Sequence, residues 1–182
     1  MKLAHILFST LLPVAVFVTS FTSYAGGIKQ EAYCIDNGGT VEKMIAKYGS
    51  DLNGLSRTFC TFTKDNGFVA VGLSAFASKT PNIAATLMKQ LPPLADDSLL
   101  WQGDFFNPSM NVCKNLGGAT MSENVVSGGF TNANGANDIC VFGDTSMVSA
   151  WSLIYMANGR NQYDEVKHAV RSDPIDNLYI PE

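Results

Sequence analysis

Histidine is almost missing from this chain: there are two, His5 and His168, in 182 residues. Basic residues are also sparse, with 12 Lys and Arg against 16 Asp and Glu and a formal net charge of −4. So little histidine leaves scant material for a His-based catalytic group or a nitrogen-ligated metal centre. So little positive charge excludes the clustered Lys and Arg that nucleic acid and anionic lipid surfaces require. Beyond residue 26 no apolar run approaches the roughly 20 residues of a spanning helix. Cysteine is limited to four residues: Cys34, Cys60, Cys113 and Cys140.

What is present begins with a leader. In "MKLAHILFSTLLPVAVFVTSFTSYAGG", Lys2 is a positive start, Ile6–Val18 is apolar and uncharged, and Ser23-Tyr24-Ala25 is a small-residue ending. This pattern predicts a secretory signal peptide, residues 1–25, cleaved after Ala25. Pro13 and the short apolar core separate it from a membrane anchor. Gly26, not cysteine, follows the expected cut, which argues against a lipid-anchored precursor. The expected mature chain is exported, either periplasmic or secreted, and large enough for one domain. Behind a leader, an even number of cysteines reads as disulfides.

The chain also repeats itself. "AYCIDNGGTV" sets Cys34 before Gly38-Gly39, and "NVCKNLGGAT" sets Cys113 before Gly117-Gly118. A second cysteine follows each at nearly equal distance, Cys60 and Cys140, and opens a Cys-x-Phe with Phe62 and Phe142. Counting on, Ala70 matches Ala150 and Leu73 matches Leu153. A degenerate internal duplication accounts for these coincidences together. It divides the chain into a first unit at 26–79, a connecting helix and linker at 80–106, a second unit at 107–160, and a C-terminal helix and tail at 161–182.

Each unit reads as helix–strand–strand–helix. Asn107-Pro108 caps a helix over Pro108–Leu116, stopped at Gly117. "ATMSENVV" and "DICVF" read as strands, with "SGGFTNANGAND" between them as a loop. Asp144 or Ser146 then caps a helix over Met147–Ala157. The first unit follows suit, with strands at "TVEKMIA" and "FCTFT" and a helix through "FVAVGLSAFA". Thr80-Pro81 starts a helix in the connector that Pro92-Pro93 stops. The expected fold class is α+β, two such units sharing one antiparallel sheet with helices packed on it. Four cysteines allow three pairings, and the repeat favours Cys34–Cys60 and Cys113–Cys140, each contributing about 3 kcal/mol. The Gly-Gly motif is then a helix stop beside a disulfide anchor, used twice.

The second unit resembles a known family. "NPSMNVCKNLGG", "CVFGDTSMVSAW" and "NGR" are similar to the small exported bacterial domain of unknown function numbered 333, which carries a haemolysin label. Asn107, Pro108, Cys113, Gly117, Gly118, Cys140, Phe142, Asp144 and Trp151 fall on its pattern, as does Tyr33 in the first copy. The resemblance covers 107–160 well and 28–77 poorly. Gly143-Asp144-Thr145 replaces its Pro-Asp-Gly turn, the first copy has Val71 at the tryptophan position, and Val148 stands where some members carry a cysteine. The resemblance implies export, a compact disulfide-bonded domain and no established enzyme activity. The haemolysin label does not transfer, because no segment reads as strongly amphipathic or pore-forming.

Catalytic chemistry finds little support. His168 follows Asp164 by four residues, the spacing of a solvated helix pair, and no nucleophile signature accompanies it. "GLSAF" at Gly72–Phe76 stops short of a Gly-x-Ser-x-Gly elbow. Asp96-Asp97 and Asp164-Glu165 read as solvated charge. The loop Ser127–Asp138 carries Asn132, Asn134, Asn137 and Asp138 around Gly135, but lacks the charge and bidentate Glu of a calcium loop. Asn132, Asn134 and Asp138 are candidate binding residues, with Trp101, Phe105 and Phe106 of "LLWQGDFFNP". Trp151 is expected in the core, and 101–106 at the seam between the copies.

The expectation is therefore a non-enzymatic, exported interaction protein without cofactor or metal. Its partner would be a protein or glycan of the envelope or the extracellular space, with neither nucleic-acid binding nor stable membrane insertion. A secreted effector or inhibitor is the alternative and a secreted hydrolase the third reading. The oligomeric state is open.

Overall fold

The computed structural model describes residues 22–48, 51–64, 67–121, 129–133 and 135–181. Most of the expected leader lies outside the described residues, as does Asn134. Helix α1 (Thr22–Asp36) runs through the expected cleavage point.

Cys34 and Cys113 each sit in the last turn of a helix, α1 and α4 (Pro108–Asn115). The first glycine of each pair, Gly38 at φ 78° and Gly117 at φ 82°, takes the left-handed step that ends a helix. The carbonyl of each cysteine then accepts the N–H of the second glycine at 2.9 Å. That second glycine has its own reason. A Cβ on Gly39 would lie 2.5 Å from Cys60 Sγ, and one on Gly118 would collide with the Cys140 and Cys113 sulfurs. The disulfides Cys34–Cys60 and Cys113–Cys140 thus rest directly on glycine backbone. One glycine turns the chain; the next makes room for the cystine.

The strands follow. β1 (Thr40–Tyr48) pairs with β2 (Asp51–Lys64), and β3 (Gly67–Gly72) adds to β2. In the second half β4 (Ala119–Met121) pairs with β7 (Ile139–Val141), β5 (Gly129–Asn132) pairs with β6 (Gly135–Asn137), and β8 (Met147–Ser149) adds to β7. All these pairs are antiparallel. Cys60 stands opposite Val41 and Val71, and Cys140 stands opposite Thr120 and Val148. β3 meets β8 at Val71 and Val148. One row across the sheet therefore reads Val41, Cys60, Val71, Val148, Cys140, Thr120, with the cysteines placed evenly about its centre.

The full strand order is β4-β7-β8-β3-β2-β1-β5-β6. Only Asp138 separates β6, at one end of that order, from β7, beside the other end. One residue bridges no more than about 7 Å, so the sheet curls until its ends meet. β1 joins the second half on the far side, where Ala46 faces Phe130 of β5.

Strand alternation divides the core between the two faces. Met44, Ala46, Phe59, Ala70, Phe130, Ile139 and Met147 fill the inside of the curl. Cys60, Phe62, Val69, Val71, Cys140, Phe142 and Val148 face the other way and are buried under the helices. Those helices are α1, α4, α2 (Leu73–Ala77), α3 (Ile83–Gln90), α5 (Ala150–Ala157) and α6 (Tyr163–Ala169).

Several expectations need correcting. Each unit has a third strand: the helices predicted through "FVAVG" and "MVS" begin only at Leu73 and Ala150. These runs are buried on both faces, and such a run carries no period to tell strand from helix. Ser149, not Asp144 or Ser146, caps α5, accepting the Ser152 N–H. The predicted loop "SGGFTNANGAND" holds the β5–β6 hairpin, because pairing with β1 overrides its poor strand propensity. By register Val71 matches Val148, so Ser74, not Val71, stands at the place of Trp151. The stretch from Cys140 to Val148 is three residues shorter than that from Cys60 to Val71, and the Ala70/Ala150 and Leu73/Leu153 matches are not structural equivalents.

Asp144 and Ser146 cap the helix of the connector. Asp144 Oδ2 accepts the Ile83 N–H at 2.7 Å, Ser146 Oγ accepts the Ala84 N–H at 3.0 Å, and Asn82 Oδ1 accepts the Ala85 N–H at 2.9 Å. α3 thus begins at Ile83 behind Asn82, two residues beyond the predicted start. Burial pushes the Asp144 carboxyl up, but hydrogen bonds from Ser146 and Ile83 outweigh it and hold the group below its usual range. A depressed carboxylate stabilises the fold above its unfolded pKa of about 3.9, and that contribution fades as pH falls through the folded value. Asp144→Ala should cost about 1 kcal/mol at neutral pH. In urea titrations the gap to the parent should hold at neutral pH and narrow as pH falls below about 4; a gap that ignores pH would refute this role.

The tail docks against α3. Phe76 O accepts the Arg171 N–H at 2.9 Å, Thr86 Oγ1 accepts the Ile175 N–H at 2.9 Å, and Lys89 donates to Ser172 O at 2.6 Å. No helix among the described residues is long and apolar enough to cross a membrane.

Candidate functional site

The expected binding residues scatter. Trp101 ends a 3-10 turn, Leu99–Trp101, and its indole donates to Ala95 O at 2.9 Å. Phe105 lies under the Lys114 ammonium, and Phe106 is fully exposed. Buried Asn111 holds this connector, bonding to the backbone of Trp101 and Phe105. Asn132 accepts from Asn137 and donates to Glu42 Oε2 at 3.0 Å, tying the hairpin to β1. His168 is exposed on α6. Asp138, the single residue between β6 and β7, is the one of these that reaches a cleft.

That cleft, of roughly 360 Å³, opens where α5 and α6 face the start of β3 and the β6–β7 junction. Its aromatic wall grows from helical spacing. Trp151 and Tyr155 stand one turn apart on α5 and stack, centroids 5.4 Å apart. Gly159 at φ 62° ends α5, and the chain then folds Arg160 back over Tyr155, its guanidinium carbon 4.1 Å from the ring centre. Tyr163, at the start of α6, meets Tyr155 edge-on at 5.5 Å and lies 5.6 Å from the same guanidinium. Trp151, expected in the core, is half-buried: it packs against the core and also lines this wall.

The opposite wall is polar. Asn107 caps α4 by accepting from Ser109 and donates its amide N–H to Asp138. Asp138 O in turn accepts the Ala150 N–H at 3.0 Å, which pins the start of α5. Asn137 and Ser149 complete this side. Ser152 anchors α5 to β3, accepting the Ala70 N–H and donating to Phe68 O.

Two groups here lack acceptors. The Tyr163 hydroxyl is buried and has no hydrogen-bond partner among the described residues. Gly67 lies over it, and a Cβ there would stand 2.6 Å from the phenol oxygen. Burial pushes the Tyr163 phenol above its usual range, with the Arg160 charge opposing this in part, so it stays a neutral donor at physiological pH. The Arg160 guanidinium meets only aromatic rings among the described residues. Tyr155, Arg160 and Tyr163 were not among the sequence candidates. Their signal was present in Trp151 and Tyr155 at i, i+4 beside "NGR", but it reads equally as a buried helix face.

Two other clefts are less open to a ligand. One, around Asn82, Asp144 and Ser146, already spends its polar groups on capping α3. The other is apolar, between Pro92, Pro93, Leu100 and Pro181. Among the described residues no group of three His, Cys, Asp or Glu is placed to hold a metal ion. No protein-family model, curated protein or solved structure matches the chain.

Proposed function

We propose that this is an exported, non-enzymatic binding protein, and that the cleft between α5 and the β6–β7 junction receives its ligand, a glycan or protein of the envelope or the extracellular space. The observation that carries this is the Arg160 guanidinium, which lines the cleft over Tyr155 and meets only aromatic rings among the described residues. A guanidinium is an always-charged donor, and one held on an aromatic wall in a cleft is placed to take an acceptor from a ligand. The two disulfides and the leader-like amino terminus support export. The lining supports binding over turnover: among the described residues it offers one carboxylate, Asp138, already engaged by Asn107, and no histidine.

The halves are read as two copies of one unit, and the shared register around Cys60 and Cys140 supports this. The likeness of 107–160 to the exported domain numbered 333 belongs to the same reading. Two residues that carry it, Asn107 and Trp151, both bear on the cleft.

A secreted effector or inhibitor is the second reading. It is favoured by the apolar connector surface, where Leu99 is 65% and Phe106 104% exposed, a surface suited to a protein partner.

Tryptophan fluorescence tests the cleft. Only two tryptophans exist, so in Trp101→Phe the emission reports Trp151 alone. Titration with oligosaccharides and peptides from envelope and extracellular material should shift that emission saturably and leave the added compounds uncleaved. An emission that none of them moves would end the cleft reading; cleavage would return the protein to the hydrolases.

A further inference from the structure

Resting on the cleft as the binding site, we infer that its ligand is an extended segment of a partner protein. The segment docks as a short strand in a slot that the sheet leaves between β3 and β6, with an acidic residue facing Arg160. The slot follows from the register. β8 stands between β3 and β7, with Val148 opposite both Val71 and Cys140, so those two strands lie about 9.5 Å apart, two strand spacings. β8 ends at Ser149, where the chain turns away into α5. β3 reaches back to Gly67, and the chain of β7 reaches back through Asp138 into β6. Continued past Ser149, the register sets Phe68 level with Asn137 and Gly67 level with Ala136, with no strand between them among the described residues. Two clefts open there, the one described above and a second of roughly 440 Å³, both lined by Gly67, Phe68 and Asn137.

The backbone along the slot is set for a strand. α5 serves its first rows only: Ser152 Oγ accepts the Ala70 N–H and donates to Phe68 O, and the Ala150 N–H donates to Asp138 O. Those bonds show which way the walls point. Phe68 and Ala70 turn their backbone groups into the slot, as does Asp138, and alternation turns Ala136 the same way. The Phe68 N–H and both backbone groups of Ala136 therefore face the slot with no partner among the described residues. A strand antiparallel to both walls bonds to one and then the other at successive residues, and it meets Phe68 and then Ala136 in that order. A saccharide has no such alternation. Strand edges of this kind take up extended peptides by adding a strand.

The side chains ask for a particular segment. Val148 of β8 points to the helix side of the sheet. By the period of two, the docked residue level with Gly67 points there as well. Tyr163 lies over Gly67 on that side, and Arg160 lies 5.6 Å from the Tyr163 ring. Tyr155 holds the guanidinium flat at 4.1 Å, which leaves its edge for a carboxylate. The docked residue is thus Asp or Glu. The residue before it, level with Phe68, points to the inner face where Phe68 packs, and is apolar.

The test uses Trp101→Phe protein and a positional-scanning library of hexapeptides, read by Trp151 emission, calorimetry and amide hydrogen exchange. Peptides that bind should share an apolar residue followed by Asp or Glu, and the best of them should slow exchange at Phe68 and Ala136 by about tenfold or more. Methylating that peptide's backbone nitrogen at the acidic residue, the donor to Ala136 O, should cost about tenfold in affinity. Ala136→Pro removes an N–H that the pairing with β5 does not use, a change that an edge strand tolerates. Its melting temperature should hold while affinity falls about tenfold. Arg160→Gln should erase the preference for Asp and Glu. Binding without exchange protection, or binding indifferent to both the methylation and Ala136→Pro, overturns strand docking and leaves a protein ligand at the cleft. An undiminished acidic preference in Arg160→Gln overturns the acidic assignment. A library in which nothing binds overturns the whole inference, and the cleft falls with it only if the oligosaccharides of the emission test are silent too.

Discussion

Phe59→Ala should cost about 4 kcal/mol, the largest loss expected of any single side chain here. Phe59 is fully buried on the inner face of the curled sheet. It meets Phe130 of the second half edge-on, centroids 5.5 Å apart. Among the described residues this cluster is built from strands alone, so the surrounding strands can collapse onto a void only by loosening their own ladders. Truncation therefore combines the lost burial of a ring with a cavity that heals poorly. Urea denaturation with an unchanged m-value gives the figure, and Phe59→Leu should recover more than half of it. A cost below about 1.5 kcal/mol would mean that the inner face is not close-packed, and the closed arrangement of strands would then be wrong.

The second large effect belongs to the cystines. Replacing Cys113 and Cys140 together by alanine should lower stability by about 3 kcal/mol, and the Cys34/Cys60 pair by a similar amount. The near-equality follows from the loops they close, with sequence separations of 27 and 26. Loop entropy varies only as the logarithm of length, so one residue makes no measurable difference. Each crosslink also ties the last turn of a helix to a central strand, at places where a glycine has given up its side chain to admit sulfur. Paired cysteine-to-alanine variants, compared with the parent by denaturation without reductant, test this. A loss confined to one pair would show that the other helix is held by packing alone.

Legibility from sequence followed the range of the interactions. The α4 cap at Asn107-Pro108 rests on adjacent residues, and the cystine pairing, though its partners stand 26 and 27 residues apart, shows through the equal spacing of the two copies. β3 and β8 were hidden because "FVAVG" and "MVS" run without a loop into a helix, and both faces of these strands are covered. The β5–β6 hairpin was hidden differently: its strand character comes from β1, more than eighty residues away. The cleft suffers from both problems. Asp138 could be singled out as a polar residue in a Gly/Asn-rich stretch. Tyr155 and Tyr163 look like ordinary buried faces, and Arg160 like a turn. Nothing local states that closing the sheet brings them to Asp138. Trp101, Phe105 and Phe106 had the more conspicuous spelling and remain on the connector.

The meeting of β1 with β5 and of β3 with β8 has a kinetic side. Synthesis delivers the N-terminal half first. β1, β2 and β3 can pair from residues already made, but the outer edges of β1 and β3 find partners only after Phe130 and Val148 have followed. Until then the nascent half carries two unsatisfied strand edges, one of them lined by Val69 and Val71, the kind of surface on which chains recruit one another. The slow step of maturation is accordingly the arrival of the second half at both seams, a long-range event. A chain halted before residue 129 should aggregate even though its own cysteines, Cys34 and Cys60, are both present and able to join.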